Sequence, residues 1–253
     1  VRPQEGKQIL GFRLQGTFLT GYGGRVAPPF ERFYLGGDND VRGFDIRSVT
    51  PFAFITNKVN FPLTNPDGSA VPIDPNNPRR GNFTVPIPVQ QIVFTGGDTS
   101  VVGNLEYRIP IAGPVTLAVF NDLGLNFVSR NSQLRLSPVQ VQELNNTPFG
   151  CPFLDAGFNC TGGVRIPIAA ELDPISGTNF TPRMSTGVEL QVIMPVVNAP
   201  FRIYWAYNPL RLDTSTPTPI PLTREMFPPG GAGDFSFRQA VATFAPSFVL
   251  KEP

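Results

Sequence analysis

Histidine is absent from this chain of 253 residues, and cysteine occurs only at Cys151 and Cys160. The commonest general base is therefore missing, which excludes nucleophilic catalysis by a Ser-His or Cys-His pair. A metal site is not expected either, because the sequence offers no imidazole ligand and no second cysteine pair. A disulfide between the two cysteines would imply an oxidising compartment such as the periplasm or cell surface, and the sequence leaves their redox state open.

Charge is also scarce, since charged residues make up 15% of the chain and the formal net charge is +1. No run of lysines and arginines could follow a polyanion, so nucleic acid is not expected as a partner. The apolar runs fall short of the roughly 18 residues that a membrane-spanning helix needs. The chain begins at Val1 without the charged and apolar regions of a signal peptide, so we expect it to be processed or a fragment.

The sequence is rich in residues that disfavour helices, with 29 prolines and 25 glycines, and it contains 22 phenylalanines. So many Phe side chains suit a surface that faces lipid. Polar and apolar residues alternate in six segments, which predicts half-buried strands. The six predicted strands cover residues 8–19, 98–111, 115–127, 183–194 and 201–208, and the last begins at Phe235-Ser236-Phe237-Arg238.

The connections between these strands are alternately long and short. Long polar or irregular stretches cover residues 22–95, 129–180 and 211–233, whereas Gly113-Pro114 and the segment Pro195 to Pro200 predict tight turns. Outer-membrane barrels show this asymmetry, with short periplasmic turns and longer external loops. We therefore predict an all-β fold, a transmembrane antiparallel β-barrel whose apolar face meets membrane lipid and whose polar face lines the lumen.

The stretch 22–95 is expected to be largely irregular. Residues 52–55 and 85–94 could form short local strands within it, the second interrupted by Pro86 and Pro88. A structureless loop of this length is uncommon unless it has a function. A motif near its beginning supplies such a function.

That motif is RFYLGGDNDVRGF at residues 32–44. Its glycines permit positive φ angles and close approach to another surface, while the neighbouring aromatic residues can anchor the loop tip by burial. The segment is thus suited to placing one arginine between small and apolar neighbours. The motif residues are Gly36, Gly37, Val41, Arg42, Gly43 and Phe44.

A second motif, FNDLG at residues 120–124, lies on the strand 115–127. Alternation places Asp122 on the polar face of this strand, and Glu106 of the preceding strand falls on the same face. The two carboxylates can share the interior region that the loop reaches, where a guanidinium could bind them. Without the loop, the two acids would be interpreted as ordinary polar residues of the lumen.

Together the VRGF and FNDLG segments resemble the motifs of BamA-like outer-membrane protein assembly barrels, the bacterial surface antigen superfamily. In that family the loop arginine, here Arg42, enters the barrel and pairs with the aspartate of an F-x-D-x-G motif, here Asp122 between Phe120 and Gly124. The glutamate of the preceding strand, here Glu106, joins the contact. The family's next strand carries a small-x-Gly pattern, which Ser185-Thr186-Gly187 matches.

The family implies a barrel of about sixteen strands, for which six are too few. We therefore expect residues 1–253 to be the C-terminal portion of the barrel domain, with further strands and periplasmic POTRA domains upstream. The alternative is a complete barrel of about eight strands, in which residues 50–56 and 84–94 supply the other two. Relatives end on an aromatic residue, whereas this chain continues past Phe248 to Pro253, so the position of the last strand stays open.

The resemblance also implies a function, that of a factor that folds and inserts β-barrel proteins into the bacterial outer membrane. Such a protein is no enzyme and needs no cofactor, and its partners are membrane lipid, unfolded outer-membrane protein clients and periplasmic or lipoprotein assembly factors. A two-partner secretion transporter uses the same kind of barrel and loop to export a polypeptide. A passive porin is a third possibility, although it gives no reason for the two motifs to occur together.

Overall fold

The computed structural model describes residues 7–155, 159–194, 199–217, 219, 222–244 and 247–252. Most regular structure in these residues is β-strand, with two α-helices. The strands are β1 (Ile9–Phe18), β2 (Phe52–Pro62), β3 (Thr84–Phe94), β4 (Thr99–Ala112), β5 (Val115–Phe127), β6 (Phe153–Leu154), β7 (Cys160–Thr161), β8 (Arg183–Met194), β9 (Ala199–Leu210), β10 (Asp213–Thr216) and β11 (Phe248–Lys251). The helices are α1 (Pro138–Asn146) and α2 (Gly231–Phe244), with short 3-10 turns at Pro29–Glu31, Pro78–Arg80, Asn131–Gln133 and Arg224–Met226.

One antiparallel sheet contains the first five predicted strands, in the order β1-β4-β5-β8-β9. Its register places Asp122 of β5 between Asn104 of β4 and Ser185 of β8. The predicted tight turn between β4 and β5 is present at residues 113–114. The predicted turn from Pro195 to Pro200 lies largely at residues 195–198, outside the described part of the chain.

The two faces of this sheet differ in polarity, because side chains alternate along a strand. One face is apolar and exposed, as in Phe12 at 72% and Trp205 at 83% relative exposure. The opposite face carries polar side chains, and the loop that follows β1 buries Asp122 and Ser185 completely. The described structure is therefore mostly β and consistent with part of a β-barrel wall.

The expectation of a largely irregular stretch at 22–95 is wrong over two segments. Strands β2 and β3 are each continuous over 11 residues and pair with one another in an antiparallel ladder from Phe52↔Phe94 to Pro62↔Thr84. They form a separate two-stranded sheet and do not join the five-stranded one. In the described residues, they therefore do not supply the two additional wall strands of the eight-stranded alternative.

Pro86 and Pro88 do not interrupt β3, contrary to the prediction. Within an antiparallel strand, the N–H and C=O of one residue point to the same side. The carbonyl of Pro86 accepts a hydrogen bond from Gly150 N at 2.6 Å, on the side away from β2. The missing N–H groups of both prolines consequently face the outer edge of the strand, where the ladder with β2 needs no donor.

The predicted strand beginning at Phe235 is also wrong, because residues 231–244 form helix α2. The Phe-Ser-Phe-Arg alternation covers only four residues. Phe237, Ala240 and Phe244 follow a helical spacing of three and four over a longer span, and all three contact the same apolar cluster. Burial of one helix face therefore outweighs the short strand pattern.

Helix α2 and the β2–β3 hairpin share a hydrophobic core with Cys151, Ile166, Met226 and Phe227. We call this assembly the cap. Gly150 bonds to β3 as described, and Cys151 N donates to Met226 O at 2.7 Å. The buried members of the cap core are Phe61, Leu63, Phe83, Val85, Ile87, Val89, Cys151, Met226, Phe227 and Ala240.

The stretch 129–180, predicted as a polar loop, contains α1 and the short β6–β7 hairpin. Ser137 and Gln140 form a capping box at the start of α1, which satisfies two backbone donors of its first turn. A disulfide joins Cys151, which precedes β6, to Cys160 of β7. Among the described residues, no helix is both long and apolar enough to cross a bilayer.

We predict that alkylation in denaturant will label neither cysteine in the oxidised protein and will label both after reduction. The bond closes a short loop between a buried half-cystine, Cys151, and an exposed one, Cys160. By chain entropy its loss should lower the stability of the cap by about 2 to 3 kcal/mol. Mass spectrometry of intact protein with and without reductant measures the labelling. Two adducts without reductant would contradict the prediction.

Candidate functional site: an arginine seated against the sheet

The segment from Arg32 to Val49, which we call the arginine loop, folds back on itself before it reaches the sheet. Leu35 and Val49 form a two-way backbone bridge, and Gly37 N donates to Phe44 O at 3.1 Å. Gly36 and Gly37 both have positive φ angles, at 109° and 95°. The loop therefore presents its tip as a compact turn.

Apolar contacts fix the loop on the polar face of the sheet. Val41 is fully buried and Phe44 is 4% exposed, and both belong to a cluster with Val102 of β4. Each buried side chain of this size contributes about 1.5 to 3 kcal/mol relative to exposure. The residues on either side of Arg42 thus anchor the loop by burial.

Two glycines allow the close approach that this anchoring requires. At Gly43, which has φ 81°, a Cβ would lie 2.6 Å from the Ala206 Cβ on β9. At Gly124 of the FNDLG motif, a Cβ would lie 2.5 Å from the Val41 side chain. One glycine is on the loop and the other on the wall, so both surfaces are shaped for the contact.

Arg42 occupies the centre of the contact, and its side chain is only 7% exposed. Its Nε and Nη2 donate to the two oxygens of Asp122, at 2.7 and 2.9 Å, which is the bidentate geometry of a strong charge-assisted pair. Its backbone N donates to the same carboxylate at 3.1 Å. Nη1 donates to Glu106 at 3.0 Å and to Glu189 at 2.8 Å. One guanidinium therefore joins three strands, β4, β5 and β8.

The ring of Phe120 lies against the same guanidinium, with Arg42 Cζ 3.8 Å from the ring centroid. An arginine over an aromatic face gains a cation–π attraction, which is larger when the pair is shielded from water. Phe120 is 1% exposed and lies opposite Gly187 of β8 in the register. The phenylalanine of the FNDLG motif thus packs its ring face against the guanidinium.

Burial by itself would lower the pKa of Arg42, because the charged form loses its hydration. Hydrogen bonds to Asp122 and Glu189, together with attraction to Asp122 and Glu106, outweigh this effect and raise the pKa above its ordinary value. The guanidinium is therefore a permanent cation in the site. Its role is electrostatic and positional, since it cannot exchange a proton near neutral pH.

Two further arginines complete a line of alternating charge on the polar face. Arg108 pairs with Glu106, and Arg202 Nε lies 3.6 Å from Glu189. Gln191 donates to Glu189 at 2.7 Å. With Arg42 in the middle, three cations face three carboxylates, so the cluster is neutral as a whole. Among the described residues, no group of acidic or cysteine side chains could hold a metal ion.

All five strands of the sheet hydrogen-bond to the arginine loop. Strands β4, β5 and β8 contribute the carboxylates already described, and the edge strands β1 and β9 bind the loop tip. The further bonds run from Arg13 to Asn39 O at 2.8 Å, from Asn104 to Asp40 O at 2.7 Å, from the Tyr204 hydroxyl to Asp38 at 2.7 Å, and from Asn208 Nδ2 to Gly43 O at 2.8 Å.

The structure brings Arg42, Asp122 and Glu106 together, and it adds Glu189, which the sequence analysis did not select. Glu189 is 1% exposed and its carboxylate bonds directly to Arg42. Alternation along β8 places it on the polar face, which was the available signal. That signal was weak, because Arg183 and Gln191 share the same face. Cys151 and Cys160 belong to the cap and not to this site.

An antiparallel sheet with one exposed apolar face and one polar face has the alternation of an outer-membrane β-barrel wall. A family model described as the Omp85 superfamily domain matches residues 3–217. The match covers most of the chain, and the protein therefore belongs to the Omp85 superfamily. This superfamily consists of bacterial outer-membrane proteins and includes BamA and the two-partner secretion transporters. A comparison with curated protein sequences gave no match.

We predict that Asp122→Asn lowers the free energy of unfolding by about 3 to 5 kcal/mol, because it leaves Arg42 buried with reduced compensation. Urea unfolding in lipid vesicles measures the change. The matched control is Glu171→Gln, which breaks an exposed ion pair with Arg135 and should cost less than about 1 kcal/mol. Equal effects of the two substitutions would contradict the buried role of Asp122.

A second prediction concerns the close approach at Gly43. Gly43→Ala should destabilise the protein by about 2 to 5 kcal/mol, since it combines a left-handed φ with overpacking against β9. Gly68→Ala is the control, because Gly68 has φ 85° but no atom within 4 Å of its Cβ position. The difference in unfolding free energy between the two variants isolates the contact. A difference near zero would show that the loop does not pack closely there.

Proposed function

We propose that this chain is the barrel part of an assembly factor that folds and inserts other β-barrel proteins into the bacterial outer membrane. Membership of the Omp85 superfamily supports the general role in protein transport or assembly. The observation that carries the proposal is the seating of Arg42 on Asp122, Glu106 and Glu189. We further infer that the five wall strands belong to the C-terminal portion of a barrel of about sixteen strands.

The arginine loop acts in this proposal as an internal brace. It forms hydrogen bonds to the edge strands β1 and β9 as well as to the three central strands. These bonds fix the curvature of the sheet across all five strands. Interactions of this kind in a partly shielded lumen are stronger than at an open surface. The brace supports insertion by keeping the wall in one shape, and it takes part in no chemical reaction.

Insertion itself would use backbone edges and not side-chain chemistry. An exposed strand edge presents unpaired N–H and C=O groups, which can template an incoming strand by β-augmentation. The clients would be unfolded outer-membrane proteins, delivered with the help of periplasmic or lipoprotein partners. Membrane lipid would contact the apolar face, where the exposed side chains include Phe12, Leu14, Ile203 and Trp205.

We predict that Arg42→Ala in the full-length protein lowers the levels of other outer-membrane β-barrel proteins several-fold, because the brace is lost. Arg135→Ala, which removes a half-exposed arginine of the loop that carries α1, is the matched control and should leave those levels unchanged. Quantitative proteomics of outer-membrane fractions measures the clients and the variant itself. The comparison is made at equal amounts of variant and parent protein.

The alternatives give different results in the same experiment. Loss of one exported polypeptide, with other outer-membrane proteins unchanged, would support a function in two-partner secretion and contradict the assembly function. Unchanged client levels together with a stable ion conductance of the purified protein would favour a passive pore. Unchanged client levels with an unchanged loop conformation would show that the function does not need the contact between Arg42 and the sheet.

A further inference from the structure

The last part of the described chain, which contains α2 and β11, packs against the β2–β3 hairpin that follows the arginine loop. The family match ends at residue 217, and α2 and β11 lie beyond it. We call residues 231–244 and 248–252 the strap. The β2–β3 hairpin, against which the strap packs, begins at Phe52, ten residues after Arg42 in the same connection between β1 and β4.

The strap holds this hairpin at both of its ends. Near the far end, the ring of Phe244 packs edge-on against Phe61 at 6.1 Å between centroids, and Thr64 N donates to Ser236 Oγ at 2.8 Å. Near the base, Phe248 of β11 packs against Phe54 at 5.9 Å. Contacts at two separated points restrict rotation of the hairpin as well as its displacement.

The end of the strap is fastened to the sheet by a buried ion pair. Arg183 of β8 donates through Nε to Glu252 Oε2 at 2.8 Å, and the two side chains are 1% and 7% exposed. Leu212 N donates to the same carboxylate oxygen at 2.7 Å, and Glu252 N donates to Leu212 O at 3.0 Å. Removal of one partner from an ion pair buried to this degree destabilises the protein strongly, because the other charge is left without compensation.

Strand β8 carries both this anchor and part of the arginine site. Arg183 lies opposite Gly124 in the register, and Glu189, which binds Arg42, is six residues further along the same strand. The arginine loop is therefore attached to β8 twice, directly through Arg42 and indirectly through the hairpin and the strap. The chain of contacts therefore runs from β8 through Arg42, the hairpin and the strap and returns to β8.

We propose that the strap keeps the arginine loop seated, and that Arg183 and Glu252 are positioning residues for Arg42. Release of Glu252 frees the base of the hairpin, and the hairpin then no longer limits the movement of Arg42 away from Asp122. This role goes beyond the proposed assembly activity, because it concerns how the loop is held and not which polypeptide the barrel handles.

Hydrogen–deuterium exchange of the full-length protein in lipid nanodiscs tests the proposal. Glu252→Gln removes the charge but keeps an oxygen for Leu212 N. We expect amide exchange to become at least tenfold faster in residues 33–49 and in the β2–β3 hairpin, while β4 and β5 keep their protection. Glu171→Gln, the exposed pair partner in another loop, is the control and should change neither region.

Unchanged exchange in residues 33–49 would overturn the proposal, and so would a uniform loss of protection across the sheet, which would indicate a general effect on stability. If Glu252→Gln does not fold, Phe244→Ala releases the strap at its other end and is judged by the same two criteria. Client assembly is measured separately and does not decide the role of the strap. Faster exchange with normal assembly would therefore support the strap while removing the loop from the proposed function.

Discussion

The structure depends on burying one charge, that of Arg42. A guanidinium enclosed in protein is tolerated only when carboxylates and hydrogen bonds replace its water shell, and here Asp122, Glu106 and Glu189 do so from three strands. The strands must then lie in the register that presents these side chains together. The position of the cation and the register of the wall are in this way mutually dependent.

The polar face of the sheet is organised around that requirement. Arg108 and Arg202 neutralise the two glutamates that Arg42 shares, so no excess charge remains in the cluster. Phe120 places an aromatic face beneath the guanidinium, and Gly124 removes the side chain that would prevent the loop from approaching. The spacing of Phe120, Asp122 and Gly124 at every second residue follows directly, because alternate residues of a strand share one face.

A loop that runs from the end of β1 at Phe18 to the start of β4 at Thr99 must be restrained along its length. The entropic cost of closing a loop rises slowly, by about 0.6 kcal/mol for each doubling, so length alone is tolerated. Local order comes instead from the hairpin, the cap core and the strap. The cap thus gives the arginine loop an ordered continuation between Arg42 and β4.

Local patterns in the chain predict the five wall strands and the polar face on which Asp122 and Glu106 lie, because a period of two is a local property of a strand. The glycine-rich motif likewise predicts a loop that places one arginine. The remaining features depend on contacts between distant parts of the chain. The edge position of Pro86 and Pro88 made a continuous strand acceptable, and the cap core turned residues 231–244 into a helix. Likewise, Glu189 joined Arg42, and Glu252 joined Arg183, through contacts between residues far apart in the chain. Such contacts leave no local period or spacing, so only the folded chain reveals them.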